Sequence, residues 1–154
     1  MGKVIEQSKI EELVNQIKKQ GKTIVATNGC FDILHVGHVR YLKKSKSFGD
    51  VLIVGLNSDV SVKSIKGPTR PVNNENDRAE VLCALSSVDY VVLFDEDSPR
   101  NLLDAIKPNI YTKGADYTLK TLPEADVILK NKGWVEFIDF VEGKSTTKII
   151  DKMK

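Results

Sequence analysis

Residues 51–56 read Val-Leu-Ile-Val-Gly-Leu, a strand-length run without one polar side chain. A half-buried strand alternates a dry and a wet face. A run that is apolar at every position has to be covered on both, as in a parallel sheet lying between helices. The rest of the chain supplies those helices. Ser8-Lys9-Ile10-Glu11 has the form of a capping box, with Ile10, Leu13, Val14 and Ile17 on one helical face and Gly21 as a stop. A β-branched strand is predicted at 23–27. A helix follows over 35–48, with Val36, Val39, Leu42 and Phe48 as its apolar positions. After the apolar strand come a short helix over 59–64, a loop over 66–74 marked by Gly67, Pro68 and Pro71, and a helix over 75–86 with Val81, Leu82 and Leu85 inward. Strands at 90–94, 109–112 and 135–138 then alternate with helices ending near Ile106, over 123–131 and over 145–153. Strand–helix alternation means βαβ units with right-handed crossovers. The expectation is a doubly wound, three-layer α/β sandwich around a five-stranded parallel sheet, with one domain across residues 1–154.

Composition narrows the function. Lys and Arg number 23 against 21 Asp and Glu, a formal charge of +2. That balance speaks against nucleic-acid binding by bulk charge, so any phosphate chemistry must rest on a few placed cations. Two distant cysteines, Cys30 and Cys83, make neither a disulfide framework nor a Cys-rich zinc site. The first residues carry Lys, Glu and Gln rather than a signal-peptide core, and no apolar run approaches the ~18 residues that span a bilayer. These features lead us to expect a reducing, cytoplasmic setting with no membrane partner.

In doubly wound folds ligands bind beyond the carboxyl ends of the strands, where the strand order switches. Polar and glycine residues gather at those ends: Asn28-Gly29-Cys30-Phe31-Asp32, Asn57-Ser58-Asp59, Lys113-Gly114-Ala115-Asp116 and Glu142-Gly143-Lys144-Ser145-Thr146-Thr147. His35-Val36-Gly37-His38 holds both histidines of the chain, at i and i+3 in a first helical turn. Free N–H groups and the helix dipole favour an anion there, Gly37 permits its close approach, and the imidazoles can donate to phosphate oxygens. Shared metal ligation by the pair would need a third ligand that the sequence does not single out. Lys63, Lys66 and Arg70 lie in or beside a Gly-Pro loop and read either as solvated surface or as a closing lid. Arg78 reads either as a fork for phosphate or as a surface helix pair. Ser145-Thr146-Thr147 caps the last helix and offers a second anion site. Gly114 would let a base or ribose lie against the backbone. Cys30 has no base oriented toward it, and neither a Walker A loop nor G-x-G-x-x-G occurs, which disfavours P-loop kinase chemistry and NAD binding.

Residues 28–38, Asn-Gly-Cys-Phe-Asp-Ile-Leu-His-Val-Gly-His, resemble the H-x-G-H motif of the nucleotidyltransferases with a Rossmann-like fold, and Ser145-Thr146-Thr147-Lys148-Ile149 resembles their C-terminal motif. Within that superfamily the chain is most similar to the adenylyltransferase branch of bacterial ADP-heptose synthesis. The stretches that carry this are Lys66-Gly67-Pro68-Thr69-Arg70-Pro71-Val72, Val88-Asp89-Tyr90, Lys113-Gly114-Ala115-Asp116-Tyr117, Leu122-Pro123-Glu124-Ala125 and Gly143-Lys144-Ser145.

The resemblance implies transfer of AMP from ATP to D-glycero-β-D-manno-heptose 1-phosphate, with release of pyrophosphate. It assigns catalytic roles to His35, His38, Lys66 and Arg78. Nucleotide contacts fall to Asn28, Gly29, Cys30, Phe31, Asp32, Gly37, Lys113, Gly114, Asp116, Ser145, Thr146 and Thr147. Lys63, Asn57 and Asp59 are secondary candidates for the substrate phosphate. It also implies Mg²⁺ carried by the ATP phosphates without dedicated protein ligands, a separate upstream sugar kinase, and a homodimer as in many relatives. Phe140-Val141-Glu142 stands where cytidylyltransferases carry an Arg, which counts against cytosine. Two alternatives stay open: the same chemistry on another acceptor or nucleotide, as in glycerol-3-phosphate cytidylyltransferase or FAD synthetase, and a nucleotide-binding module without turnover.

Overall fold

The computed structural model describes residues 1–139 and 145–154. The expected strands and helices form, and the sheet is parallel throughout. In chain order the elements are β1 (Lys3–Val4), a 3₁₀ turn (Gln7–Lys9), α1 (Ile10–Lys19), β2 (Ile24–Gly29), α2 (Val36–Lys46), β3 (Val51–Asn57), α3 (Asp59–Lys66) and α4 (Glu75–Cys83). They continue with β4 (Tyr90–Phe94), α5 (Arg100–Ile106), β5 (Ile110–Gly114), α6 (Ala125–Lys130), β6 (Trp134–Ile138) and α7 (Thr146–Met153). The strand order is β1-β4-β3-β2-β5-β6. The chain therefore builds outward from β2 in one direction, then returns to add β5 on its other side. The switch point lies between β2 and β5.

The all-apolar β3 sits inside the sheet, and every one of its residues is buried. The core divides into two apolar layers. Ile10, Val14, Ile17, Leu102, Leu103, Ile106, Val127 and Ile128 of α1, α5 and α6 pack on one face of the sheet. Leu42, Ala79, Leu82 and Cys83 of α2 and α4 pack on the other.

Four expectations need correction. The sheet has six strands among the described residues rather than five, because β1 adds two residues, Lys3 and Val4, beside Tyr90 and Val91 of β4. So short a segment carries no period that composition could reveal. The capping box does not form. The chain enters α1 through the 3₁₀ turn, and Lys9, the residue before the helix, makes no side-chain cap. On α4, Val81 is 49% exposed, and the inward positions are Ala79, Leu82 and Cys83.

The fourth correction concerns α2. Val36 and Val39 face solvent, while Ser45 is buried and Tyr41 half-buried. The inner face of α2 meets a ladder of hydroxyls. Thr27 Oγ1 pairs with Tyr41 OH at 2.8 Å and donates to the Thr112 carbonyl at 3.1 Å. Thr112 Oγ1 pairs with Ser45 Oγ at 2.8 Å. Thr27 belongs to β2 and Thr112 to β5, so the ladder stitches α2 to the two strands that flank the switch point. Buried hydroxyls satisfy one another here, which removes the need for valines on that face.

Candidate active site

A cleft of about 980 Å³ opens at the carboxyl ends of the strands. Its walls include Asn28, Gly29, Cys30, Phe31, Asp32, His35, Gly37, His38, Asn57, Lys66, Lys113, Gly114, Asp116, Ser145, Thr146 and Thr147. Most of the residues singled out from the sequence thus converge on one concavity at the switch point. Lys63 and Asp59 do not line it, although Lys63 was grouped with Lys66 in the same cationic run. Glu142, Gly143 and Lys144, and the Phe140-Val141-Glu142 segment, lie outside the described residues.

The histidine pair sits at the start of α2. His35 is the N-cap, and its Nδ1 accepts from the Gly37 N–H at 3.0 Å. That bond requires Nδ1 to be unprotonated, so the neutral ring carries its hydrogen on Nε2. His38 stacks on His35 with centroids 4.0 Å apart, and Phe31 meets its ring edge-on at 5.2 Å. Phe31 itself sits at φ 44 in the left-handed region, and its ring folds back over Gly29, where an added Cβ would come within 2.8 Å of Phe31 Cε2. Burial, and then the neighbouring His35, lower the His38 pKa to about 4. Its Nδ1 is buried without a hydrogen-bond partner among the described residues. At neutral pH His38 is therefore an uncharged imidazole beside a helix N-terminus, ready to donate to an incoming anion.

The start of α7 also faces the cleft. Ser145 caps it, accepting from the Lys148 N–H at 3.0 Å. The Thr146 hydroxyl donates to the Ile33 carbonyl at 2.9 Å and so holds this terminus beside the loop that leads into α2. On the β5 side, Lys113 Nζ lies 3.5 Å from Glu124 Oε2 and 5.5 Å from the Tyr117 ring centroid. Tyr111 OH donates to Glu124 at 2.6 Å and also contacts Asn28, which bridges β5 to β2 across the floor of the cleft.

Three sequence assignments are overturned by geometry. Arg78 is not available as a phosphate hand. Its side chain is fully buried, Nη1 donates to the carbonyls of Cys30 and Asn57 at 2.8 Å each, Nε donates to Asn73 O at 2.9 Å, and Nη2 pairs with Asp59 at 2.8 Å. Asp59 and Asn57 serve that same brace rather than a substrate. Asn57 Nδ2 is further committed to Ser61 Oγ at 2.9 Å. Asp32 is not open to a nucleotide either. Its carboxylate accepts from the N–H groups of Val72 and Asn73 and from Arg70 Nε. Burial pushes its carboxyl up, but these donors outweigh it and hold the pKa below the usual carboxylate value. Each of these polar side chains spends its hydrogen-bonding capacity on the protein itself.

Burial raises the Cys30 thiol pKa against the pull of Lys66, Arg78 and Arg70, which disfavours the thiolate form. Arg40 and Lys44 also line the cleft. They are not among the residues singled out from the sequence, although the spacing 37, 40, 44 places them on the helical face of Gly37. Glu124 and Tyr111 could not be found this way, because only the tertiary fold brings them together.

The cytidylyltransferase-like family model matches residues 26–152 of the chain. Bifunctional protein HldE of Syntrophotalea carbinolica is 50% identical over 144 residues, which cover 94% of this chain and 29% of the relative. HldE of Campylobacter jejuni subsp. doylei is 57% identical over 144 residues, covering 94% of this chain and 30% of its own length. The chain thus spans under a third of the curated relatives it matches. Among solved structures, a lipopolysaccharide core biosynthesis protein from Thermoplasma volcanium aligns with a TM-score of 0.63 and 33% identity, over 80% of this chain and all of that one. A pantoate-beta-alanine ligase from Francisella tularensis, solved with beta-gamma ATP and beta-alanine, aligns with a TM-score of 0.68 at 18% identity, over 90% of this chain and 67% of that one. This second likeness speaks to the fold alone.

Proposed function

This chain belongs to the cytidylyltransferase-like family, and from that membership we propose that it joins a sugar 1-phosphate to AMP taken from ATP. The class is nucleotidyltransferase. The adenylyl donor and the acceptor, D-glycero-β-D-manno-heptose 1-phosphate, rest on the resemblance of its sequence to the ADP-heptose branch and on its identity to HldE proteins. The single observation that carries the reading is the convergence of two helix N-termini on one cleft: α2 with its stacked His35 and His38, and α7 with its Ser145 cap.

In this reading a non-bridging oxygen of the acceptor phosphate attacks the α-phosphorus of ATP in line. The bond from the α-phosphorus to the bridging oxygen breaks, and pyrophosphate leaves with the electron pair. No covalent nucleophile on the protein is needed. Its work is to hold two anions in line and to stabilise the charge that develops. His35 Nε2–H and the His38 ring would donate to the transferring phosphate. The backbone N–H groups and hydroxyls at Ser145, Thr146 and Thr147 would hold the outer phosphates. Lys66 would add a cation from the end of α3. Gly29 and Cys30 would line the nucleotide through their backbone, and Lys113, Gly114 and Asp116 would lie beside ribose and base. Among the described residues no three His, Cys, Asp or Glu side chains gather into a metal-ligating group. A Mg²⁺ that arrives on the triphosphate would neutralise phosphate charge there. No helix among the described residues is long and apolar enough to cross a membrane.

Pyrophosphate release measured with ATP, CTP and GTP, each with heptose 1-phosphate and with glycerol 3-phosphate, tests the reading. Turnover with ATP and the heptose phosphate is the expected result. Turnover only with another pair would move the substrate assignment. ATP binding without turnover on any acceptor would refute it.

A further inference from the structure

Two arginines are fastened to the same loops in opposite ways. Arg78 gives Nε, Nη1 and Nη2 to the protein and shows nothing to the cleft. Arg70 is held by Nε alone, at 2.9 Å from Asp32 Oδ2. The remaining acceptor capacity of that carboxylate is filled by main-chain donors, Val72 N at 2.8 Å and Asn73 N at 2.9 Å. Asp32 is 3% exposed, and its own carbonyl is tied to Asn73 Nδ2 at 2.9 Å, so the anchor is rigid. The Arg70 side chain is 13% exposed, yet it lines the cleft beside Cys30 and Lys66. Its two terminal nitrogens have no hydrogen-bond partner among the described residues, and neither is sealed from solvent. A guanidinium used merely as a counter-ion would turn its fork onto the carboxylate. Here backbone N–H groups occupy the place of that second contact, and the fork is left over.

A planar fork with fixed orientation and paired N–H donors matches two oxygens of one phosphate. The proposed reaction brings two phosphates together. In the reading above the N-termini of α2 and α7 would serve one of them, which leaves Arg70, in the loop that follows α3, facing the cleft for the other. We propose that the Arg70 fork binds the phosphate of the acceptor and that Asp32 positions it. This rests on the nucleotidyl-transfer reading above. Arg70 is then a binding residue at the reacting phosphate and Asp32 a positioning residue.

The test compares the wild type with Arg70→Gln, which keeps a donor for Asp32 but lacks the fork, and with Arg70→Lys, which keeps the charge and guards against a folding failure. Steady-state pyrophosphate release is measured first against acceptor at saturating ATP, then against ATP at saturating acceptor. Arg70→Gln should lower kcat/KM for the acceptor about ten- to a hundredfold, the loss of one charge-assisted contact, with ATP affinity unchanged by calorimetry. Arg70→Lys should fall between it and the wild type. Asp32→Asn should lower the same parameter, and adding it to Arg70→Gln should produce little further loss. An unchanged acceptor kcat/KM, or a loss confined to ATP affinity, overturns the assignment. Independent losses from the two substitutions overturn the role of Asp32. A separate arm titrates inorganic phosphate against the wild type and Arg70→Gln without turnover. Weaker phosphate binding by the variant supports the fork, and equal binding refutes it. This arm reads Arg70 even if no acceptor is turned over, in which case the substrate reading fails on its own.

Discussion

Arg78→Met separates a structural brace from a phosphate ligand. The methionine keeps an apolar stem of similar length, so the change removes mainly hydrogen bonds. Four are lost. The Asn57 carbonyl, whose bond to Nη1 is buried, is left without that donor, which costs about 1–3 kcal/mol. The carbonyls of Cys30 and Asn73 are part-buried and can be partly rehydrated, at roughly 0.5–1.5 kcal/mol each. Asp59 is 34% exposed, so its ion pair is screened and adds no more than about 1 kcal/mol. The expected loss is therefore about 2–7 kcal/mol, which brackets the roughly 3–5 kcal/mol typical of removing one partner of a buried charged network. In a chain of this length that corresponds to a drop in melting temperature of roughly 10 °C. Urea unfolding followed by far-UV circular dichroism, without nucleotide, measures it. A loss below about 1 kcal/mol accompanied by collapse of turnover would refute the brace and restore Arg78 to the site.

The other outcomes are more direct. His38→Ala should cut turnover by roughly two to three orders of magnitude, the scale of losing one transition-state donor, and near-normal kcat in a folded variant would remove His38 from the chemistry. His38 should also give the fold a pH dependence. Its folded pKa of about 4 lies below the ordinary value of 6.5, so its contribution is full above pH 6.5 and is lost as pH falls toward 4. That loss amounts to at most roughly 3 kcal/mol, less because part of the ring meets solvent, and the difference in unfolding free energy between wild type and His38→Gln across pH 4–7 reads it. Lys66→Ala should lower activity with the melting temperature held within about 2 °C, since Lys66 is exposed and makes no ion pair among the described residues. A large fall in melting temperature would make Lys66 structural instead. Gly29→Ala should cost stability, because its Cβ would meet the Phe31 ring at 2.8 Å, and an unchanged melting temperature would show that the ring yields freely.

What could be read from the sequence followed the range of each signal. The apolar run of β3 and the His-x-Gly-His spacing are local signals: β3 is buried along its whole length, and both histidines line the cleft at the strand ends. The misreadings arose where a polar residue was judged without its partners. Arg78 carries the charge a phosphate site would want and Asp32 lies in the glycine loop after β2, but their partners, Asn57 at the end of β3 and Asn73 before α4, come from elsewhere in the chain. On α2 a period of apolar residues pointed to Val36 and Val39, whereas Tyr41 and Ser45 face in because threonines on β2 and β5 wait for them there. Hydroxyl pairing of that kind leaves no trace in hydropathy. Two-residue β1 was invisible because pairing with β4, not its own composition, makes it a strand.

The hydroxyl ladder between α2, β2 and β5 has a consequence for when α2 can be seated during synthesis. Thr27 and Thr112 are 85 residues apart, so the ladder closes only after β5 has left the ribosome and a long loop has been drawn shut. A nascent chain that ends before β5 already contains both histidines but has nothing to seat α2 against on that side. The ladder is therefore completed late, when β5 takes its place beside β2, because Thr112 supplies the groups that Thr27 and Ser45 both bond.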